Sequence, residues 1–244
     1  MKRGVCMLNG SDLRKNKRIT FLAYREWALR AVQNISKNKA IEVVDVIKSK
    51  YEYEIKIKEY REGYVDCIIL IGWSWIIKDD ILNRFLCVGI HPSDLPMYRG
   101  GSPIQHQIIA GMEKTKISLM TISSAGIDTG DIWGKEEWDM SGKSMDVILE
   151  ELSKSSERLL TRFIEKMDSI YPQKQDLTLG SYYKRRLPCD SKVTWQQLSD
   201  MKLIDVYNLI RALGDPYPNL YIEDEEGNVL KFKSVEYVRK NQNL

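Results

Sequence analysis

The chain has 244 residues, of which 43% are hydrophobic and 29% are charged, as in an ordinary soluble globular protein. Its 37 basic and 34 acidic side chains give a net charge of +3, which is too balanced to indicate a nucleic-acid-binding protein. Four scattered cysteines and two histidines offer no spacing for a Cys/His zinc site. We therefore expect reduced thiols, no metal, no membrane-spanning segment and a cytoplasmic location.

Predicted strands and helices alternate through the first part of the chain. Hydrophobic runs and helical spacing predict strands at 18–23, 40–47, 66–71 and 86–88, helices at 26–37 and 79–85, and an irregular or helical connector at 51–63. A strand at 4–8 is an alternative start of the sheet, and both early strands could be paired. This alternation predicts a Rossmann-like, doubly wound α/β fold with a mostly parallel sheet.

The second part of the chain predicts a long helix and a smaller C-terminal unit. In chain order we expect a helix at 103–111, strands at 116–122 and 132–138, an amphipathic helix at 144–167, a linker-like stretch at 172–180, a helix at 203–213 and a hairpin of 220–222 with 229–232. The apolar surface of the long helix is assigned mostly to Val147, Leu149, Leu152, Leu159, Leu160, Phe163 and Ile164. These elements predict a catalytic domain at 1–178 and a small α+β extension, with a helix and a β-hairpin, at 179–244.

One histidine and one aspartate stand out because each lies in a loop bounded by predicted strands. His91 enters the loop HPSDLPMYRGGSP, and Asp128 lies in a turn that follows the apolar strand at 116–122. A carboxylate beside an imidazole can orient the ring and stabilise its charged form, which is the arrangement of a general base. The second histidine, His106, lies inside a predicted helix, and we expect it to be structural or to face solvent.

The segment around this pair resembles the signature of the formyltetrahydrofolate-dependent formyltransferases, and most closely that of the sugar N-formyltransferases, which are related to methionyl-tRNA formyltransferase. The matching fragments, in order, are His91-Pro92-Ser93, Leu95-Pro96, Arg99-Gly100, Pro103-Ile104 and Asp128-Thr129-Gly130. The chain departs from the pattern at Gly89, where the family carries Asn. The segments 207–213 and 216–218 also resemble the part of those enzymes that follows the catalytic domain.

The resemblance implies a catalytic group made of His91, Asp128 and position 89. His91 would accept or relay the proton of an amine, and Asp128 would orient and support its charge. The family's Asn donates a hydrogen bond to the oxyanion, which Gly89 cannot do with a side chain. A charged His91, a backbone N–H or a water molecule would then donate the hydrogen bond to the oxyanion.

The resemblance also implies N10-formyltetrahydrofolate as the formyl donor, bound in a cleft with two walls. The expected lining residues are Gly72, Trp73, Trp75, Ile76 and Ile77 on one wall, and Ser124, Gly126 and Ile127 on the other. Trp73 and Trp75 would point to the same face if this stretch is extended. Core packing is the alternative interpretation for either tryptophan.

On the acceptor side, the resemblance points to Ser93, Arg99 and Gly100, although Arg99 could equally be a structural clamp. A nucleotide-linked amino sugar is the favoured acceptor, because the near-neutral charge offers little for tRNA phosphates. Neither a nucleic-acid partner nor a membrane is expected, and a homodimer is left open. The alternatives are a folate- or sugar-nucleotide-binding homologue with impaired catalysis, and a methionyl-tRNA-type enzyme. The basic runs at 14–18 and 184–186 are typical of solvated surface, but either could meet an anionic substrate.

Overall fold

The computed structural model describes residues 16–240, so the alternative strand at 4–8 lies outside the described residues. The strands are β1 (Lys17–Leu22), β2 (Ile41–Ile47), β3 (Cys67–Ile71), β4 (Cys87–His91), β5 (Arg99–Gly100), β6 (Lys114–Thr121), β7 (Ile132–Asp139), β8 (Tyr182–Tyr183), β9 (Leu220–Glu223) and β10 (Val229–Phe232). The helices are α1 (Glu26–Ile35), α2 (Lys50–Lys56), α3 (Asp79–Leu82), α4 (Pro103–Ile109), α5 (Met145–Lys166), α6 (Trp195–Asp200) and α7 (Leu203–Ala212). Within this range, no helix is long and apolar enough to cross a bilayer.

Six of these strands form one central sheet in the order β2-β1-β3-β4-β6-β7. The pairings β1–β2, β1–β3 and β3–β4 are parallel, whereas β4–β6 and β6–β7 are antiparallel. The prediction of a Rossmann-like, mostly parallel α/β sheet is therefore confirmed. The parallel part places the carboxyl ends of β3 and β4 side by side, where such sheets bind their ligands.

Apolar side chains cover both faces of the sheet. On one face, α1 buries Trp27, Ala28, Ala31, Val32 and Ile35, the residues that its helical spacing predicts, and it packs beside α5. A second cluster covers the other face and includes Tyr53, Ile77, Ile81 and Phe85. Val88 and Ile90 of β4 belong to the first cluster and Cys87 to the second. Because side chains alternate along a strand, position 89 and His91 face the same side as Cys87.

The long helix α5 corrects one detail of the sequence analysis. Val147, assigned to its apolar surface, is 38% exposed, whereas the small side chains of Ser155 and Ser156 are buried. The buried face of α5 therefore includes small polar side chains as well as apolar ones. Glu136 of β7 fastens the exposed side of α5, because its carboxylate accepts hydrogen bonds from Arg158 and Arg162.

The C-terminal part contacts the central domain at two places. Helix α7 packs against α4, and β8 forms a short parallel pair with β5, matching Arg99 with Tyr182 and Gly100 with Tyr183. The predicted hairpin is present as the antiparallel pair β9–β10. Helix α6 was not predicted, although the capping box of Thr194 and Gln197 marks its start. The domain boundary at 178/179 stays a prediction.

Candidate active site

A cavity of about 690 Å³ opens where β3 and β4 end. Gly72, the first residue after β3, and His91, the last residue of β4, both line it. A cavity of this size suits a small organic ligand. The loops that follow β3, β4 and β6 supply much of the wall.

His91 and Asp128 meet on this wall, as the sequence predicts. Nδ1 of His91 lies 3.4 Å from Oδ2 of Asp128, and the two side chains are only 7% and 14% exposed. The other ring nitrogen, Nε2, lies 2.9 Å from the carbonyl oxygen of Tyr98. A carbonyl only accepts hydrogen bonds, so Nε2 carries a proton in this contact. Nδ1 is therefore the nitrogen left to exchange a proton, with a carboxylate beside it to stabilise the charged ring.

Asp128 has an unusual backbone conformation, and hydrogen bonds from neighbouring segments stabilise its loop. Asp128 has a φ of +56°, a left-handed conformation that short polar residues adopt more readily than others. Its Oδ2 accepts a hydrogen bond from the N–H of Gly100 at 2.8 Å. Gln175 donates to the carbonyl oxygens of Asp128 at 3.0 Å and of Gly130 at 2.6 Å. Sequence reasoning missed Gln175, because it lies 47 residues further along the chain.

Gly130, the glycine of the Asp-Thr-Gly fragment, is required by close packing. A Cβ atom at this position would lie 1.8 Å from the carbonyl oxygen of Thr121, which no side chain could tolerate. This contact brings the turn directly against the end of β6. It therefore explains in physical terms why glycine follows Asp128-Thr129.

The space beside Gly89 is occupied by an isoleucine from another loop. A Cβ atom on Gly89 would lie 2.8 Å from Cδ1 of Ile122 and 3.5 Å from Cβ of Leu70. Gly89 lies in the regular strand β4, and it is not one of the described glycines with positive φ. A Cβ atom at position 89 would thus require the terminal methyl of Ile122 to shift, and it would meet no backbone strain.

The residues expected to bind the donor come together on the cavity wall. Gly72, Trp73, Trp75, Ile76 and Ile77 line one side, and Ser124, Gly126 and Ile127 line another. The rings of Trp73 and Trp75 lie 4.7 Å apart in an edge-to-face arrangement. Ile76 is 84% exposed and Ile127 is 55% exposed, so both offer apolar surface to a ligand. Their assignment to folate binding stays a prediction.

The residues expected on the acceptor side separate in the structure. Gly100 lines the cavity, but Ser93 and Arg99 are absent from its wall as the described residues form it. Ser93 is fully buried, and its hydroxyl donates to the carbonyl oxygen of Met97 at 2.7 Å. This contact stabilises the loop after β4, which favours a structural part for Ser93.

His106 contacts the C-terminal segment and lies away from the cavity. Its ring stacks on Tyr183 with centroids 4.6 Å apart, and Nε2 lies 3.1 Å from the carbonyl oxygen of Lys184. These contacts agree with the structural part expected for His106.

Three arginines and a tyrosine that line the cavity come from outside both the signature segment and the loop after β3. Arg25 follows β1, Arg185 and Arg186 follow β8, and Tyr217 lies after α7. Burial raises the pKa of the Tyr217 hydroxyl, and the positive charges of Arg25 and Arg185 oppose that rise. The sequence offered one signal for this group, the basic run at 184–186, but no signal that Arg25 would join it.

Comparisons with known proteins indicate the family of this chain. The sequence profile of the formyl transferase family matches residues 19–172. Methionyl-tRNA formyltransferase of Rickettsia bellii is 29% identical over 182 residues, an alignment that covers 73% of this chain and 58% of that protein. The chain therefore spans less than two thirds of this curated relative.

Solved structures of the same family share the fold. Methionyl-tRNA formyltransferase from Clostridium thermocellum is 30% identical with a TM-score of 0.77, covering 93% of this chain and 95% of that one. A sugar N-formyltransferase from a Shewanella species is 18% identical with a TM-score of 0.68, covering 91% and 99%, and at this identity it supports the fold alone. The family profile, together with the His91–Asp128 pair in its cavity, identifies this chain as a member of the formyl transferase family.

Proposed function

We propose that the protein transfers a formyl group from N10-formyltetrahydrofolate to the amine of a nucleotide-linked amino sugar. The observation that carries this proposal is the buried His91–Asp128 pair in a cavity with an aromatic and apolar wall. The exposed faces of Ile76 and Ile127 and the paired rings of Trp73 and Trp75 fit the faces of the ring systems of a folate donor.

In the proposed reaction, the acceptor amine attacks the formyl carbon, a C–N bond forms, and the bond from that carbon to N10 of the folate breaks. The proton that the amine loses ends on N10 of the leaving tetrahydrofolate. Nδ1 of His91 is the group that relays it, because Nε2 is engaged by the Tyr98 carbonyl. Asp128 stabilises the charged ring while the proton is held.

The developing oxyanion needs a hydrogen-bond donor that does not come from position 89. Gly89 has no side chain, and Ile122 fills the space next to it with methyl and methylene groups. The protonated Nδ1 of His91 is the positively charged donor on the same side of β4. We assign it this second task, so one residue would serve both the proton transfer and the charge stabilisation.

A small acceptor is favoured by the dimensions and charge of the site. The cavity has the volume of a small-molecule site, and three arginines, Arg25, Arg185 and Arg186, line it. The whole chain carries a net charge of only +3, which gives a long RNA little to bind. We also propose the division of the chain into a catalytic domain at 1–178 and a small extension at 179–244.

Methionyl-tRNA is the second candidate acceptor, because a methionyl-tRNA formyltransferase is 30% identical over most of this chain. One experiment compares the two. The full chain is incubated with N10-formyltetrahydrofolate and either a panel of dTDP-, UDP- and GDP-linked amino sugars or charged methionyl-tRNA. Mass spectrometry then follows the gain of one CO unit on each acceptor, with His91→Asn as the inactive control.

A formylated amino sugar with no product on tRNA would support the proposal. Product on tRNA alone would replace the sugar with the second candidate. Tight binding of folate and nucleotide by calorimetry, with no product on any acceptor, would indicate a binding protein in place of an enzyme.

A further inference from the structure

We propose that Arg25 and Arg185 form a binding site for the diphosphate group of the acceptor, at the mouth of the cavity. This inference rests on the proposed function, since it names the group by which the nucleotide-linked acceptor would be held. It adds two residues that lie outside the signature segment and come from opposite ends of the chain.

A continuous set of contacts connects the two arginines. The guanidinium of Arg25 lies 5.2 Å from the ring of Tyr24 and 5.9 Å from the ring of Tyr217. The hydroxyl of Tyr24 lies 2.8 Å from Oγ of Ser74, which also accepts a hydrogen bond from Nη2 of Arg185 at 3.4 Å. Both guanidinium groups therefore border one polar patch on the cavity wall.

The backbone that carries Arg185 is fixed against the loop before α4. The N–H of Gly101 donates to the carbonyl oxygen of Tyr183 at 2.8 Å, and the N–H of Arg186 donates to Oγ of Ser102 at 3.1 Å. A Cβ atom on Gly101 would lie 2.3 Å from Cα of Arg185, so only glycine permits this close approach. The start of the Arg185 side chain is thus held in place, while its exposed end can close on a ligand.

Neither arginine has an acidic partner in the part of the chain that the structure describes. Over residues 16–240, no carboxylate oxygen lies within 4.0 Å of a side-chain nitrogen of Arg25 or Arg185. By contrast, Arg158 and Arg162 in the same protein both form salt bridges with the carboxylate of Glu136. Two unneutralised guanidinium groups beside one cavity attract an anion.

A diphosphate is the anion that this arrangement fits best. Each guanidinium can bind one phosphate through two parallel N–H donors, and two linked phosphates present acceptors to both arginines at once. Tyr217 also lines the cavity and adds a hydroxyl, which is neutral at neutral pH. A folate donor also carries an anion, the carboxylates of its glutamate tail, and the experiment must separate the two ligands.

Calorimetry on the full chain provides the test. Titrations with UDP, dTDP, GDP and inorganic pyrophosphate are compared for the wild type, Arg25→Gln, Arg185→Gln and the double variant. Arg61→Gln is the control, since Arg61 is exposed and does not line the cavity. Each single variant should raise the Kd of the best nucleotide by about 10- to 100-fold, the usual effect of losing one charged hydrogen-bonded pair.

Several outcomes are decisive. Arg185→Lys should recover only part of the affinity, because lysine keeps the charge but lacks the planar fork. An unchanged Kd in both variants, or no binding of any of the four probes to the wild type, would overturn the assignment. Weaker binding of 5-formyltetrahydrofolate with unchanged nucleotide binding would assign the arginines to the donor and also overturn it.

The two proposals fail in different ways. If formyl transfer to an amino sugar occurs with a normal acceptor KM in the double variant, the diphosphate site is wrong and the proposed function stands. If nucleotides bind through these arginines and no acceptor is formylated, the site stands and the proposed function is wrong. In the active enzyme we expect the variants to raise acceptor KM with little effect on kcat.

Discussion

A Cβ atom on Gly89 would lie 2.8 Å from Cδ1 of Ile122, so the terminal methyl of Ile122 occupies the space that the Cβ of an asparagine at position 89 would need. Ile122 is held there by its backbone N–H, which donates to the carbonyl oxygen of Cys87 at 2.8 Å. In this chain, a pair formed by Gly89 and the methyl group of Ile122 stands where the family carries asparagine. Gly89 is the position at which this chain departs from the family signature.

The pair predicts a non-additive response to mutation. Gly89→Asn alone should lower kcat, because the new side chain would push the terminal methyl of Ile122 toward the cavity that both residues line. The double variant Gly89→Asn/Ile122→Ala should have a higher kcat than Gly89→Asn alone, since one oxyanion donor contributes about 10²- to 10³-fold in rate. Ile122→Ala alone is the matched control, and steady-state kinetics with a saturating acceptor measure kcat in all three. A single Gly89→Asn variant faster than the wild type would contradict this prediction.

The His91–Asp128 pair predicts large losses of rate without loss of fold. His91→Asn should nearly abolish turnover, and Asp128→Asn should lower kcat by roughly 10²-fold or more, the usual range for a general base and its orienting group. His106→Asn is the control histidine and should keep most of its activity, because its ring stacks on Tyr183 away from the cavity. Circular dichroism melts check that the variants remain folded. Turnover near the wild-type rate in either site variant would remove the assignment.

The tryptophans of the donor wall predict a fluorescence signal. Folate binding should quench the intrinsic emission, because Trp73 and Trp75 line the cavity with their rings 4.7 Å apart. Trp73→Phe and Trp75→Phe should each reduce the quenched fraction. Trp195→Phe should leave it unchanged, since Trp195 is 63% exposed and packs near Phe232. If calorimetry detects folate binding and the wild-type emission stays constant, the donor is bound elsewhere.

Glu136 predicts a pH-dependent contribution to stability. Burial of Glu136 opposes ionisation, but hydrogen bonds from Arg158 and Arg162 outweigh it and lower the pKa below the ordinary 4.5. A lowered pKa in the folded state means that the contribution is present above pH 4.5 and is lost as the pH falls through the folded value. Both arginines are about half exposed, so we expect Glu136→Gln to cost only about 1 kcal/mol at neutral pH.

Urea unfolding at neutral and at acidic pH measures this difference between Glu136→Gln and the wild type. Glu137→Gln is the control, because Glu137 is adjacent and 81% exposed. The difference for Glu136 should shrink as the buffer becomes more acidic. A difference in unfolding free energy that grows as the pH falls would contradict this prediction.

The sequence alone predicted the elements whose signals are local. Strands such as β3 and β4 follow from apolar runs, and the buried face of α1 follows from helical spacing. The two loops with His91 and Asp128 could also be located, because Pro, Gly and charged residues interrupt those runs. The antiparallel direction of β6 could not be predicted, since strand direction depends on the path of the chain between β4 and β6.

Only the tertiary structure decided the contacts between residues distant in sequence. Gln175 fixes the turn of Asp128 from 47 residues away, and Tyr24, the neighbour of Arg25, contacts Ser74, which accepts a hydrogen bond from Arg185. Local sequence patterns do not predict such pairs, because a long-range hydrogen bond or close approach depends on how the fold positions two separate segments. For the same reason, the sequence showed that Gly89 lacks a side chain, and the fold showed that Ile122 occupies its place.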